Sequence, residues 1–334
     1  MHIPFDHRQT AHCENGVTSN LLRFHRINLS EAMVFGIGSG LFFAFMPFIK
    51  LNDLPVISFR PWPGMIFKRT SRLLGIRSQR DTFKDPGKAM EALDKNLENG
   101  IPTGCLVGVF HLTYFPKAYR FHFNAHNIVV IGRENGQYLI SDPVMENIER
   151  LSYDDLLRVR FAKGAYPPKG RLYFITEVPA FFDLKKAIVQ GIRKTSHDML
   201  RIPVPLFGVK GIRFLARRMR KWPKTLGPKK ASLYLGQAVR MLEEIGTGGA
   251  GFRFIYAAFL QEAAKELNQP WLNACSREMT ADGDCWRAFA VIAGRIFKDR
   301  AGQDESYQAA ADALMDIALR EERLFQKLKN ISLN

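Results

Sequence analysis

The sequence predicts an α+β domain over residues 1–178 followed by an all-helical domain over residues 182–330. Three observations predict it. Short runs with β character crowd residues 105–178, two of them joined by the turn Arg133-Glu-Asn-Gly136. Short helical patterns are interspersed among the strands of this first part. Beyond Phe182 no strand pattern remains, and six long stretches carry helical periodicity.

Taken in order, residues 16–27 read as a helix with Val17, Leu21 and Phe24 on one face. Asn28 and Ser30 offer caps for a second short helix ending at Gly36. Residues 41–49 and 55–60 read as strands. Residues 84–99 read as a helix, with Asp85 as its cap and Pro86 at its first position. Gly100-Ile-Pro-Thr-Gly then breaks it, and strands follow at 105–114, 127–132 and 137–141. Asn135-Gly136 between the last two is a hairpin signal, because both residues tolerate positive φ. A helix over 152–160 and a closing strand over 171–178 complete the domain. The helical domain reads as 183–200, 207–221, 229–245, 252–267, 282–298 and 305–329, its first part punctuated by Pro203, Pro205, Pro223 and Pro228. The sequence shows no internal repeat and no low-complexity tail.

The 334 residues, 46% hydrophobic and 24% charged, have the composition of a soluble globular protein. The most apolar stretch, 35–49, is broken by glycines and Pro47 and falls short of the ~20 residues a membrane span needs. Met1-His-Ile-Pro-Phe-Asp-His-Arg lacks the charged-then-apolar order of a secretory signal, so a cytoplasmic location is expected. Four scattered cysteines, Cys13, Cys105, Cys275 and Cys285, make neither a disulfide framework nor a zinc-binding pair. Cys105 lies in an apolar run and reads as a buried small hydrophobe.

The net charge of +16 favours an anionic partner: nucleic acid, an anionic membrane or an acidic protein. Between Lys185 and Lys230 fourteen Lys or Arg stand against one acid, Asp198. That segment reads as a solvated face, as a dock for an acidic protein, or as a peripheral membrane contact through an amphipathic helix around 207–222. Nucleic acid is the weaker reading, since no recognisable nucleic-acid module accompanies the charge.

Two places suggest chemistry. Thr10 or Asn15 can start a helix, which leaves Cys13 at or near its N-terminus. Exposed amides and the helix dipole there favour the thiolate, and the same amides can bind an oxyanion. Many such cysteines are merely packed. Further along, His126 opens one strand of the Asn-Gly hairpin and Asp142 lies just past the end of the returning strand. Antiparallel pairing sets those ends side by side, so Asp142 can fix the imidazole while its other nitrogen faces a nucleophile. The bland alternative is a surface histidine beside a turn-forming Asp-Pro. His122 is an alternative base, and His12 reads as structural, pointing away from Cys13.

These residues resemble a family. A cysteine near the N-terminus, then His126-Asn-Ile-Val-Val-Ile-Gly132, then a strand ending in Asp142-Pro143 is similar to the papain-like cysteine peptidases that trim double-glycine leaders. The chain more closely resembles the BtrH-type acyltransferases of butirosin biosynthesis. His12-Cys13-Glu14, Leu29-Ser30-Glu31, Val34-Phe-Gly-Ile-Gly-Ser-Gly40 and the 126–142 hairpin carry that resemblance, with Glu243-Glu-Ile-Gly-Thr-Gly-Gly-Ala-Gly-Phe-Arg253 in the helical part. It spans nearly the whole chain.

The resemblance implies a papain-like N-terminal domain and a helical C-terminal domain. It implies that Cys13, His126 and Asp142 form a triad that moves an acyl group from an acidic acyl carrier protein to a small amine. No cofactor is expected to be bound; the 4'-phosphopantetheine of the carrier is the substrate arm. Leader peptidases place an oxyanion-hole glutamine ahead of the cysteine, which puts Gln9 in that role, although it stands only four residues away. The same triad with water as acceptor gives a thioesterase, amidase or peptidase. A scaffold that binds a carrier protein or membrane without catalysis is the third reading.

Gly246-Thr-Gly-Gly-Ala-Gly251 precedes a helix but lacks a Lys-Ser/Thr ending, and reads as a tight helix connection before a phosphate loop. Arg253 just after it is a candidate contact for the carrier phosphate, with a structural salt bridge as the alternative. Gly36-Ile-Gly-Ser-Gly40 reads as close backbone packing, and most of the 26 phenylalanines as core.

Overall fold

The computed structural model describes residues 2–51 and 53–333. Its elements begin α1 (Cys13–Phe24), α2 (Glu31–Ile37), β1 (Ala44–Leu51), β2 (Leu54–Ser58), α3 (Met65–Leu73), β3 (Arg77–Asp81), α4 (Pro86–Glu98) and β4 (Thr103–Val107). Then come β5 (His126–Glu134), β6 (Gln137–Ser141), β7 (Glu149–Leu151), α5 (Tyr153–Arg160) and β8 (Leu172–Glu177). Helices α6 (Leu184–Leu200), α7 (Gly208–Met219), α8 (Trp222–Leu226), α9 (Pro228–Val239), α10 (Arg253–Glu266), α11 (Trp271–Phe297) and α12 (Tyr307–Leu328) finish the chain. The α+β class followed by helices is as the sequence predicts. The chain divides into two units, Met1–Val34 with Ile66–Phe182 and Phe35–Met65 with Asp183–Asn334.

The first unit is built on a six-stranded antiparallel sheet in the order β3-β8-β4-β5-β6-β7. Asn135 and Gly136 take φ of 50° and 77°, the two-residue turn that matches strand twist, and Glu134 pairs with Gln137 across it. One face of the sheet presents Cys105, Val107, Ile128, Val130 and Leu172 to Leu93 and Leu97 of α4 and Leu156 and Val159 of α5. Cys105 is thus the core hydrophobe its sequence context suggests. Helix α1 packs against β5. Glu14 in its first turn is fully buried and accepts the backbone N–H of Ile66 at 2.9 Å, so a buried charge meets the amide end of α3.

Two elements of this unit escape a sequence reading. β3 is Arg-Ser-Gln-Arg-Asp, an edge strand with no apolar alternation, of the charged kind that guards sheet edges. Helix α3 follows a Pro-Trp-Pro-Gly loop and carries three basic residues among its nine. The predicted strand 105–114 stops early, at Val107, where Val109–His111 turns into a single 3-10 turn.

The second unit contains the β1–β2 hairpin and helices α6 to α12. Residues 35–65, read from sequence as part of the first domain, cluster here instead. The cause is aromatic burial: Phe45 meets Phe214 and Trp222 at ring distances of 5.8 and 6.3 Å, and Phe43 meets Trp286 at 6.0 Å. Gly36 and Gly191 sit back to back, since a Cβ on Gly191 would lie 2.5 Å from the Gly36 carbonyl oxygen. The glycine-rich connection after α9 runs through positive φ at Gly246, Gly248, Gly249 and Gly251, which makes it a tight turn between helices. Helix α7 turns Ile212, Leu215 and Met219 into the unit, where α7 packs on α12 and β1. The apolar side that sequence offered to a membrane surface is therefore covered by protein.

At the centre of this unit Arg253 and Glu321 are both fully buried and paired at 2.7 Å. Trp286 donates to the same carboxylate oxygen at 2.8 Å, and the guanidinium lies 4.8 Å from its ring. Breaking a buried pair from one side costs about 3–5 kcal/mol, because the remaining charge is left without its partner. Arg253→Leu is expected to destabilise the helical unit by that amount in denaturant melts followed by helical circular dichroism. A melt like that of the parent would refute it.

Candidate active site

The N-terminal segment brings position 13 to the hairpin. Ile3 N donates to Ile131 O at 2.9 Å, and Thr10 N to Pro143 O at 2.7 Å. His7 bonds Ser141 Oγ at 2.8 Å through Nδ1. Residues 3–10 are thereby stitched along β5 and the end of β6, and α1 begins where they end. Gly16 permits the approach: a Cβ there would lie 2.1 Å from Thr10 Oγ1 and 2.5 Å from Pro143 Cβ. His12 is the N-cap of α1, and Cys13 is its first residue.

Cys13, His126 and Asp142 meet at this junction, with exposures of 6%, 5% and 0%. Nε2 of His126 lies 2.7 Å from Oδ2 of Asp142, which leaves Nδ1 as the ring nitrogen available to Cys13. Asp142 Oδ2 also accepts the Tyr114 hydroxyl at 2.8 Å, and Oδ1 accepts Val144 N–H at 3.1 Å. Phe115 sets an edge against the imidazole, 5.5 Å between rings.

The electrostatics follow from the packing. Burial alone disfavours the imidazolium, but the charges of Asp142 and Cys13 outweigh it and lift His126 from 6.5 to about 10. Burial likewise raises the Cys13 thiol, and the imidazoles of His12 and His126 overturn that and hold it well below the ordinary value. Between those two ionisations Cys13 and His126 exist as a thiolate–imidazolium pair. Burial and the adjacent Asp142 push Tyr114 well above the usual phenol range, so it stays a donor.

The other residues singled out in the sequence lie elsewhere. Gln9 is exposed and donates to the carbonyl of Val144 at 3.4 Å, so its amide is on the Asp142 loop and not on Cys13. His122 is exposed and stacked on Phe110 at 4.0 Å, away from the Asp142 carboxylate that His126 holds. Arg253 is enclosed by Glu321 and Trp286 in the second unit, which corrects its expected contact with a carrier phosphate. Two participants carry no sequence signal: Tyr114 lies in the stretch read as strand, and Asn127 lies hidden in the strand, its Nδ2 at 3.9 Å from Cys13 Sγ; His12, expected to point away from Cys13, instead lowers its thiol. Among the described residues no group of three or more His, Cys, Asp or Glu is placed to hold a metal ion. No helix among them is long and apolar enough to cross a membrane.

Residues 12–143 match the family described as butirosin biosynthesis protein H, N-terminal, a span that runs from His12 to just past Asp142. Residues 154–328, more than half of the chain, match the family described as domain of unknown function (DUF4872). The chain belongs to the DUF4872 family and has a BtrH-type N-terminal half. That half is papain-like in arrangement: a cysteine starts a helix that packs on an antiparallel sheet bearing histidine and aspartate. Among solved structures the chain is similar to a C39-like peptidase of Bacillus anthracis, at 14% identity and a TM-score of 0.36, over 53% of this chain and 96% of that one. No curated protein matches the sequence.

Two outcomes test the site. Gly16→Ala is expected to cost about 1–3 kcal/mol, as overpacking does, and to separate Asp142 from α1; a denaturant midpoint equal to the parent's would refute it. His126 binds its proton more tightly folded than unfolded, so its contribution to stability is full below pH 6.5 and is lost between 6.5 and about 10. The stability gap between the parent and Asp142→Asn should accordingly narrow as pH rises through that window, measured by denaturation at each pH.

Proposed function

We propose that this protein is a cysteine-dependent acyltransferase that takes an acyl group from the phosphopantetheine thioester of an acyl carrier protein and delivers it to an amine. The observation that carries this reading is the buried Cys13–His126–Asp142 junction within a BtrH-type half. The basic balance of the chain supports an acidic carrier as donor, since opposite charge speeds encounter.

The Cys13 thiolate attacks the thioester carbonyl, and the N-terminal amides of α1 serve as donors to the oxyanion in this scheme. His126 gives its proton to the departing phosphopantetheine thiolate, leaving acyl-Cys13 and a neutral imidazole. One thioester replaces another, so the step is close to thermoneutral. With the negative sulfur gone, one of the charges that raised His126 is removed, and the ring is poised to act as a base. An amine then attacks the acyl carbon and loses its proton to His126, and the Cys13 thiolate leaves. Asp142 holds the ring throughout, and Tyr114 holds Asp142.

Intact-mass analysis of the protein mixed with acyl-loaded carrier tests the reading. An acyl adduct on Cys13 is expected, absent in Cys13→Ala and formed about 10²–10⁴-fold more slowly in His126→Ala. Added amines should consume the adduct with formation of amide. Release as free acid at the same rate with and without amines would make the protein a hydrolase. No adduct at all would overturn the enzymatic reading.

A further inference from the structure

Cys13 touches more groups than a triad requires. His12, 3% exposed, caps α1 by accepting the Asn15 N–H on Nδ1 at 3.4 Å. Its own backbone is fixed from the other side, because Glu31 accepts His12 N–H at 2.7 Å and Ala11 N–H at 3.0 Å. With Nδ1 an acceptor, the ring carries its proton on Nε2, and the His12 imidazole favours the thiolate of the adjoining Cys13. A second donor comes from the sheet. Asn127, 1% exposed, accepts the Tyr173 hydroxyl on Oδ1 at 2.9 Å, which orients the amide so that Nδ2 lies 3.9 Å from Cys13 Sγ and 3.4 Å from Ala125 O. Tyr173 is itself immobilised: its ring lies 4.7 Å from that of Phe67 and occupies the place where Gly104 would carry a Cβ.

We propose that His12 and Asn127 form a clamp that holds Cys13 as a thiolate independently of His126. This rests on Cys13 being the nucleophile of the function proposed above. The thiol proton passes to solvent, and the sulfur anion accepts from Asn127 Nδ2–H and is favoured by the adjoining His12 ring, so neither ring nor amide changes protonation. His12 and Asn127 are positioning residues in this scheme. The work divides accordingly: the clamp keeps the nucleophile ionised between turnovers, and His126 with Asp142 carries protons to the leaving thiol and from the amine.

The test is a pH titration of the Cys13 thiolate by its ultraviolet absorbance, as the difference from Cys13→Ala. It uses no substrate, so it succeeds or fails separately from acyl transfer, which adduct formation reports. His12→Asn keeps a capping side chain and removes the imidazole. Asn127→Asp keeps the shape and the acceptor for Tyr173 while replacing the donor to sulfur with a carboxylate. Each is expected to raise the thiolate midpoint by about one pH unit or more, and each by more than His126→Ala does, in variants whose circular dichroism matches the parent. Any other ordering of the three shifts overturns the proposal.

Discussion

A carboxylate with no exposed surface, Asp142, sets the terms for the first unit. Carrying charge into the interior is tolerable only with hydrogen-bond donors or a cation in place. The donors here come from three separate parts of the chain: the His126 ring at the start of β5, the Tyr114 hydroxyl beyond β4 and the Val144 amide of its own turn. Each contact fixes a different segment, and the turn is further pinned to the N-terminal strap through Thr10. The start of α1 is placed by the same set of contacts, so the position of the sulfur is a consequence of how the aspartate is kept charged.

This geometry also accounts for what could be read in the sequence. The 126–142 hairpin was legible because its cause is local: two residues that accept positive φ, flanked by strands of defined length. The helix start at Cys13 was legible within a residue or two for the same reason. Nothing in the spacing joins residue 13 to residue 126, because the ties between them are backbone and His7 side-chain hydrogen bonds from residues 3–10 to residues 131–145. Tyr114 and Asn127 belong to apolar-looking stretches in which one polar group is indistinguishable from an ordinary core neighbour. The polar edge strand β3 has no pattern to read at all.

Charge shows a similar limit. The run of basic residues between 185 and 230 looks uncompensated in sequence, yet Arg213 pairs with Glu322 at 2.6 Å and Arg220 also pairs with an acid of α12, Asp312. Partners about a hundred positions apart are invisible to a local window. Arg253 was the strongest case, since a cation after a glycine-rich turn suggests an anion site, whereas its acid lies on α12. Exposed pairs of this kind add little stability, but they lower the field that the segment presents outside. Cations such as Arg217 and Arg218 of α7 and Lys229 and Lys230 of α9 remain exposed.

The β1–β2 hairpin has a consequence for how the chain is made. Phe45 of β1 and Phe43 just before it are synthesised early, yet their partners Phe214, Trp222 and Trp286 emerge some 170 to 240 residues later. At a synthesis rate of about 5–20 residues per second, that interval is on the order of ten seconds or more. During it the nascent chain can complete the six-stranded sheet, whose last strand ends at Glu177, while two phenylalanines stay uncovered. Chaperone demand should therefore concentrate on this hairpin and not on the six-stranded sheet, and shortening the route between hairpin and helices by circular permutation would relieve it.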